Sequence, residues 1–397
     1  MRRREFLEKG SWILGGMAFA DKLSFAPSQP LKVAIIGCGD RGLGIMEMMQ
    51  EFPNYFNVTT ACDLLDFRLD QAKKSKGSTA VKTVRDYRQV MDDRSIDAVV
   101  IATSLDAHFP VAASALQAGK HIYLEKAMTW SIEEATQLVQ LAKQYPKSTL
   151  LVGHQYRYTP LYFKVKEMIQ SEYLGNVTQI DCRWDRNGSW RRNVPAGYSD
   201  EQVNWRMYRK YSGGLAAELL SHQIDFINWA FQTNPDSIMG YGGIDHYKDG
   251  RETYDNIQVI LRYDKKGMIG NFGATCGNAH EGYNFKIKGT RGTVLLLPHK
   301  GVFYPEKEIK KELQTVDGVT GATRLEWNQD GGINIMNEPM KDGTWYALRE
   351  FYNSIKEGKQ PVSNVLTGAT TAVCVHLAND AIYNRTIKNW KEDYNFK

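Results

Sequence analysis

The sequence predicts an α/β domain with a doubly wound parallel sheet, followed by a domain of antiparallel strands and helices. Three observations carry that prediction. Short apolar runs alternate with amphipathic stretches from residue 31 to 152. A glycine-rich turn, Gly37-Cys38-Gly39-Asp40-Arg41-Gly42, directly follows the first of those runs. Beyond Gly153 the texture changes to consecutive strands joined by Gly and Asp-Lys turns. The 397 residues divide into two such units, with roughly 150 residues per domain as a soft guide.

The chain begins Arg2-Arg3-Arg4-Glu5-Phe6-Leu7, then runs through a mildly apolar stretch from Ser11 to Ala20 that ends in Ala18-Phe19-Ala20. Basic, apolar and small residues in that order read as an export signal, with a basic amphipathic arm as the alternative. Arg3-Arg4-x-Phe6-Leu7 resembles a twin-arginine signal, whose pathway moves folded proteins. Residues 1–30 are therefore assigned to signal and linker, and the expected location is the periplasm, or the cytoplasm if the signal is not functional. The apolar run is too short for a bilayer, which needs roughly 20 residues, and no other stretch reads as a membrane span. The formal net charge is +5, of which residues 1–20 carry +2 (Arg2, Arg3, Arg4 and Lys9 against Glu5 and Glu8). No basic block of nucleic-acid-binding size remains. The five cysteines form no C-x-x-C pair and the eight histidines show no ligand spacing, so the reading is buried thiols and no metal site.

In the first domain, 31–152, the expected strands are Val33 to Ile36, Val58 to Ala61, Ala98 to Ala102, Ile122 to Leu124 and Thr149 to Val152. The second, 153–397, opens with a helix from Pro160 to Gln170, where proline suits the first turn. A strand from Val177 to Trp184 follows, then a loop rich in Trp, Arg, Asn and Tyr, and a helix from about Gly214 to Phe231. Strands are expected at Asn256 to Tyr263, Met268 to Phe272, and Phe285 to Lys288 paired with Thr293 to Leu297 across Gly-Thr-Arg-Gly. Residues 306–342 are polar and poorly patterned, and helices near Trp345 to Ser354 and Thr367 to Tyr383 close the chain.

The glycine motif sits between a strand and a helix, the context in which it binds dinucleotides. Gly37, Gly39 and Gly42 permit the tight turn and the close approach of a pyrophosphate, which the N–H groups and dipole of the helix N-terminus at Asp40 hold; the Arg41 side chain is expected to reach a phosphate, with a solvated arginine at the helix start as the alternative. Asp63 ends the second strand 21 residues beyond Gly42, where a carboxylate bonds the ribose 2′-hydroxyl and repels a 2′-phosphate. NAD is thus expected over NADP. The alternative is a plain turn with Asp63 as a helix cap.

Thr103 with His108, then Ala115-Leu116-x-Ala118-Gly119-Lys120-His121-Ile122-x-x-Glu125-Lys126, is more specific. Together with Trp205-Arg206 and Gly213-Gly214-x-x-x-Glu218-x-x-x-His222-x-x-Asp225, it resembles the glucose-fructose oxidoreductase, inositol dehydrogenase and rhizopine catabolism (Gfo/Idh/MocA) family from about Leu31 to Leu297. The resemblance implies a Rossmann domain and a C-terminal α+β domain whose large, open, mostly antiparallel sheet packs against another subunit, hence a homo-dimer or homo-tetramer. It places Thr103, His108, Glu125, Lys126, Trp205 and Arg206 around the cofactor, and Lys126, His222 and Glu218 at the chemistry. Ala127 stands where the family has proline, Ser104-Leu105 where it has Pro-Asn, and Glu218 where aspartate is usual, which loosens the expected loop and site geometry.

Oxidising a secondary alcohol needs a base at the hydroxyl. An imidazole titrating near about 6.5 suits that role better than a lysine near about 10.4, so His222 is the expected base and Lys126 a polarising cation. Glu218, four residues before His222 on the expected helix, would fix the imidazole tautomer or bind a substrate hydroxyl. The loop from Arg183 to Tyr211, with Trp184, Trp190, Arg191 and Arg192, offers aromatic plates and polar forks for a sugar or polyol. Tyr156, Arg157 and Asp225 are further substrate candidates. The leading expectation is hydride transfer between NAD and a sugar, glycoside or polyol. The alternatives are hydrolysis or elimination through transient oxidation by retained NAD, and a nucleotide-binding sensor without turnover.

Overall fold

The computed structural model describes residues 29–75, 81–314 and 327–396; the export-signal reading falls on residues outside them. Six strands form the first sheet: β1 (Leu31–Ile36), β2 (Phe56–Cys62), β3 (Lys82–Val84), β4 (Ala98–Ile101), β5 (His121–Leu124) and β6 (Leu150–Val152). All pairs are parallel and the order is β3-β2-β1-β4-β5-β6, the Rossmann arrangement with its switch point between β1 and β4. β4 is buried along its whole length, as a strand covered on both faces must be. β3, short and edge-lying, has only Val84 buried, too little apolar signal to be read from sequence.

The second sheet holds β7 (Val177–Asn187), β8 (Ser237–Gly243), β9 (Asn256–Tyr263), β10 (Met268–Thr275), β11 (Gly277–Gly289), β12 (Gly292–Leu296), β13 (Gly301–Pro305), β14 (Ile333–Asn334) and β15 (Lys388–Asn389). Its order is β14-β13-β12-β11-β7-β10-β9-β8-β15. Every pair is antiparallel except β7 with β10, so the sheet is mixed but mostly antiparallel. The Gly-Thr-Arg-Gly hairpin is present in the expected register, Lys288 opposite Thr293 and Gly289 opposite Gly292.

Helices Asp40–Met49 and Gly343–Glu357 cover one face of the first sheet, and His108–Gln117 and Ile132–Gln144 the other. The Gly343–Glu357 helix, far along the chain, places Ala347, Leu348, Phe351 and Tyr352 in the N-terminal core. The second sheet packs one face on Pro160–Gln170 and Ser221–Phe231. Helix Val365–Asn384 touches both cores, through Ala369 and Ala372 on one side and Val373 to Ile382 on the other. Asn364 caps it by accepting from Leu366 N (3.0 Å) and Thr367 N (3.2 Å). The reading that no stretch after the N-terminus could span a bilayer is corrected here: by length and a mean hydropathy of 1.2 this helix qualifies. It is apolar all round because it lies between two sheets.

Candidate active site

The glycine turn joins β1 to the Asp40–Met49 helix. Gly37 has φ +92°, and a Cβ there would lie 2.5 Å from Ala102 O; a Cβ on Gly42 would lie 1.9 Å from Gly37 O. Both positions admit only hydrogen, by backbone conformation or by contact. Among the described residues, a Cβ on Gly39 would meet nothing within 4 Å, and no side chain caps this helix N-terminus. Its N–H groups and positive dipole end therefore face open space at Gly39, where an anion is favoured. Asp63 directly follows β2; its carboxylate accepts from Cys38 N (2.7 Å) and Leu65 N (2.9 Å), and burial raises its pKa. These residues fit a dinucleotide.

The side chains of Asp40 and Arg41 go elsewhere than the expected phosphate. Asp40 takes two bonds from Arg192 and lies 3.5 Å from Arg68; the Arg192 hydrogen bonds hold its carboxyl below the usual range. Arg41 turns to Glu125 (Nε to Oε1 2.8 Å) and Thr344 (3.1 Å), because Glu125 is a buried carboxylate that needs a cation. Thr103 adjoins the turn, its N 2.7 Å from where a Gly37 Cβ would be.

His108 Nδ1 bonds Ala127 O at 2.8 Å and so supports the loop after β5; the Lys126–Ala127 peptide in that loop is cis. Lys126 Nζ donates to Glu218 O (2.9 Å) and Ala217 O (3.4 Å). These carbonyls belong to a π-helical turn, Ala216–Leu220, inserted ahead of the Ser221–Phe231 helix. Gly214 enters it at φ +58°. Such turns concentrate at functional sites. Burial lowers the Lys126 pKa, with Glu218 and Glu125 opposing.

The π turn corrects the expected Glu218–His222 partnership. Its wider spacing breaks the four-residue stacking of an α-helix, and Glu218 instead accepts from Arg206 Nε at 3.0 Å. Burial works to raise the Glu218 carboxyl, but Arg206 and Lys126 hold it below its ordinary range. Arg206 lies 4.2 Å from the Trp205 ring centroid. His222 is enclosed by Tyr156, Trp184 and His154, at ring-centroid distances of 5.1, 5.7 and 6.1 Å. Burial and Lys126 push its pKa well below the ordinary histidine value, so it is a neutral imidazole.

Two further expectations change. Arg157 and Asp225 do not face a substrate: they pair with each other in the core (2.9 and 2.8 Å), and Thr371 donates to the same carboxylate at 2.9 Å. Arg191 is spent on Asp249 (3.2 Å) and Asp200 (2.5 Å); it ties the loop together, because a segment this rich in arginine needs internal counter-charges. Trp190, at φ +64°, has Arg186 at 4.0 Å from its centroid.

Sequence reasoning missed several residues the fold brings to the site. His154, the second residue after β6, is buried beside His222; its place beyond the carboxyl end of a parallel strand was the available signal. Tyr283 arrives on β11, its hydroxyl 2.9 Å from that of Tyr162, and nothing local marks it. Tyr198 anchors the loop on the first domain: its hydroxyl accepts from Asp66 N (3.2 Å) and its ring meets Phe67 at 5.2 Å. With Arg192 on Asp40, it carries the loop across the nucleotide side of the first domain.

Comparison with known proteins agrees with this fold. Residues 31–154 match the oxidoreductase family with an NAD-binding Rossmann fold, and residues 162–295 match the GFO/IDH/MocA C-terminal domain. The chain is 27% identical to inositol 2-dehydrogenase/D-chiro-inositol 3-dehydrogenase of Lactiplantibacillus plantarum, over 85% of this chain and 86% of that one. YteT of Bacillus subtilis is also 27% identical, but the match spans 51% of this chain and 46% of YteT. Among solved structures, myo-inositol 2-dehydrogenase from Lactobacillus plantarum superposes with TM-score 0.70 at 18% identity, covering 91% of this chain and all (100%) of the other. Levoglucosan dehydrogenase with NADH and levoglucosan gives TM-score 0.70 at 19% identity, covering 91% and 99%. The chain belongs to the Gfo/Idh/MocA family of NAD-binding oxidoreductases.

Proposed function

We propose that this chain transfers hydride between NAD and a secondary hydroxyl of a sugar, glycoside or polyol. The observation that carries the reading is convergence: Lys126 from the Rossmann half bonds the backbone of the π turn that delivers His222 from the other half. NAD, when bound, supplies the hydride acceptor. His222, neutral and enclosed, takes the hydroxyl proton. Lys126, two of its donors committed to carbonyls, keeps one N–H for the substrate oxygen. Glu218 orients Arg206 and balances the Lys126 charge. Trp184 and Tyr156 flank the imidazole as plates for the apolar face of a sugar ring. Asp63 at the ribose position favours NAD over NADP, and dehydrogenase relatives named for inositols and levoglucosan support the substrate class.

The test is reduced-nicotinamide absorbance across a polyol and glycoside panel. Wild type should reduce NAD with at least one member, and His222→Asn should lose about two or more orders of magnitude in rate. NAD bound with no member reacting would count against the reading. A second reading, net cleavage through transient oxidation, is favoured by one observation: the loop carrying Arg192 and Tyr198 spans the nucleotide side, which suits a retained cofactor. Bond cleavage without accumulation of NADH would establish it.

Export through the twin-arginine segment and assembly through the open face of the second sheet are part of the same proposal. Met239 and Ile260, opposite each other on β8 and β9, and Ile269 on β10 are exposed apolar residues there, and a patch of this kind marks an interface.

A further inference from the structure

Among the described residues, three buried imidazole nitrogens lie together without a hydrogen-bond partner: Nδ1 of His222 and both ring nitrogens of His154. The two rings stand 6.1 Å apart and nearly perpendicular, at 88°. His154 is 1% exposed and His222 6%, so bulk solvent does not satisfy them. Leaving a buried donor or acceptor unpaired is costly, and such a cluster is the surrounding that holds an ordered water. On its other side His154 Nδ1 is 3.5 Å from Asp225 Oδ1, a carboxylate already fixed by Arg157 and Thr371. Glu218 is taken up by Arg206, which leaves His222 in need of another orienting partner.

We propose that His154 is the positioning residue for His222. Asp225 draws the His154 proton to Nδ1, so that Nε2 of His154 is an acceptor. Through one enclosed water that acceptor keeps the His222 proton on Nδ1 and leaves His222 Nε2 free for a substrate hydroxyl. In the reaction the substrate O–H bond breaks as an N–H bond forms at His222 Nε2, and the hydride leaves carbon for the nicotinamide ring. His154 gains and loses no net proton; its lone pair and Asp225 stabilise the new imidazolium. The groups facing His154 are Asp225, Arg157, Lys126 and Glu125, and those facing His222 are Lys126, His154 and Arg41. Lys126, near both, keeps the pair uncharged in the resting site. The inference rests on the reading of His222 as base, but its test needs no substrate.

That test is imidazole nitrogen NMR on the full chain with NAD bound, histidines labelled with nitrogen-15 and His222 assigned by its loss in His222→Asn. At neutral pH wild-type His222 should be a neutral ring protonated on Nδ1. His154→Phe, which keeps a ring but no nitrogens, should shift His222 to a mixture of tautomers, and His154→Gln, which restores a polar group near the water, should shift it back. A wild-type His222 protonated on Nε2 overturns the proposal without any variant having to fold. So does an unchanged tautomer in folded His154→Phe. Absence of hydride transfer to any polyol would instead remove the functional reading and leave this measurement standing.

Discussion

Replacing Arg157 by methionine separates scaffold from site. Arg157 is 7% exposed; its guanidinium donates twice to Asp225 at 2.9 and 2.8 Å and lies 5.4 Å from the Trp229 ring centroid. Methionine keeps the apolar stem but leaves a carboxylate of 0% exposure with the Thr371 hydroxyl as its remaining close donor. Removing one partner of a buried pair costs about 3–5 kcal/mol, a large share of a total stability of about 5–15 kcal/mol. Arg157→Met combined with Asp225→Leu leaves no charge behind and should recover most of the loss. Urea unfolding of the wild type, both single variants and the double variant, followed by tryptophan fluorescence and far-UV circular dichroism, gives the coupling energy. A single Arg157→Met variant within about 1 kcal/mol of wild type would refute the buried-pair reasoning, and so would a double variant no more stable than the single.

Gly42→Ala puts a Cβ 1.9 Å from Gly37 O, so the turn must open; NAD affinity should fall about tenfold or more by calorimetry, at the scale of one lost phosphate-turn contact, and an unchanged Kd would contradict the steric role. Arg192→Ala removes a half-exposed pair with Asp40 and should change stability by less than about 1 kcal/mol. It should also speed NAD release in stopped-flow fluorescence; an equal off-rate would mean the loop does not cover the groove. The folded His154 pKa, lowered to about 4 by burial from an ordinary 6.5, gives acid lability. The unfolded chain takes the proton first, so this contribution is complete above about pH 6.5 and is lost as pH falls towards 4. The gap of about 2.5 units amounts to at most about 3 kcal/mol. His222, also depressed, acts in the same direction, and a urea midpoint that is flat from about pH 7 to pH 5 would contradict both.

The first sheet was legible because fully covered strands such as Ala98–Ile101 are apolar at every position, and because a glycine turn after such a strand has few structural meanings. The hairpin around Thr290 and Arg291 was legible from turn chemistry. The residues proposed for the chemistry, Lys126 and His222, came through family-like motifs. What sequence could not supply was partnership. Arg157 and Asp225 are 68 positions apart, and only the fold shows that they satisfy each other. Arg41 was read as reaching a phosphate, when a buried carboxylate 84 positions away captures it. The π turn broke a four-residue spacing that reads as an ordinary helix. Tyr283 and Phe285 are both buried on β11, and that pattern announces a core, with no sign that Tyr283 ends against the Trp184 and Tyr156 rings that flank His222.

Helix Val365–Asn384 acts as a rivet. Gly368 lies so close to the end of β6 that a Cβ would come within 2.7 Å of Val152, while Ser363 exchanges two backbone-linked bonds with Val152. Further along, the same helix is sunk against the opposite sheet. Hinge bending between the halves would have to tear one of those seats, at a cost comparable to opening a core. Entry and exit of small molecules must then depend on local movement at the mouth, and the catalytic distances inherit the stiffness of a single packed body.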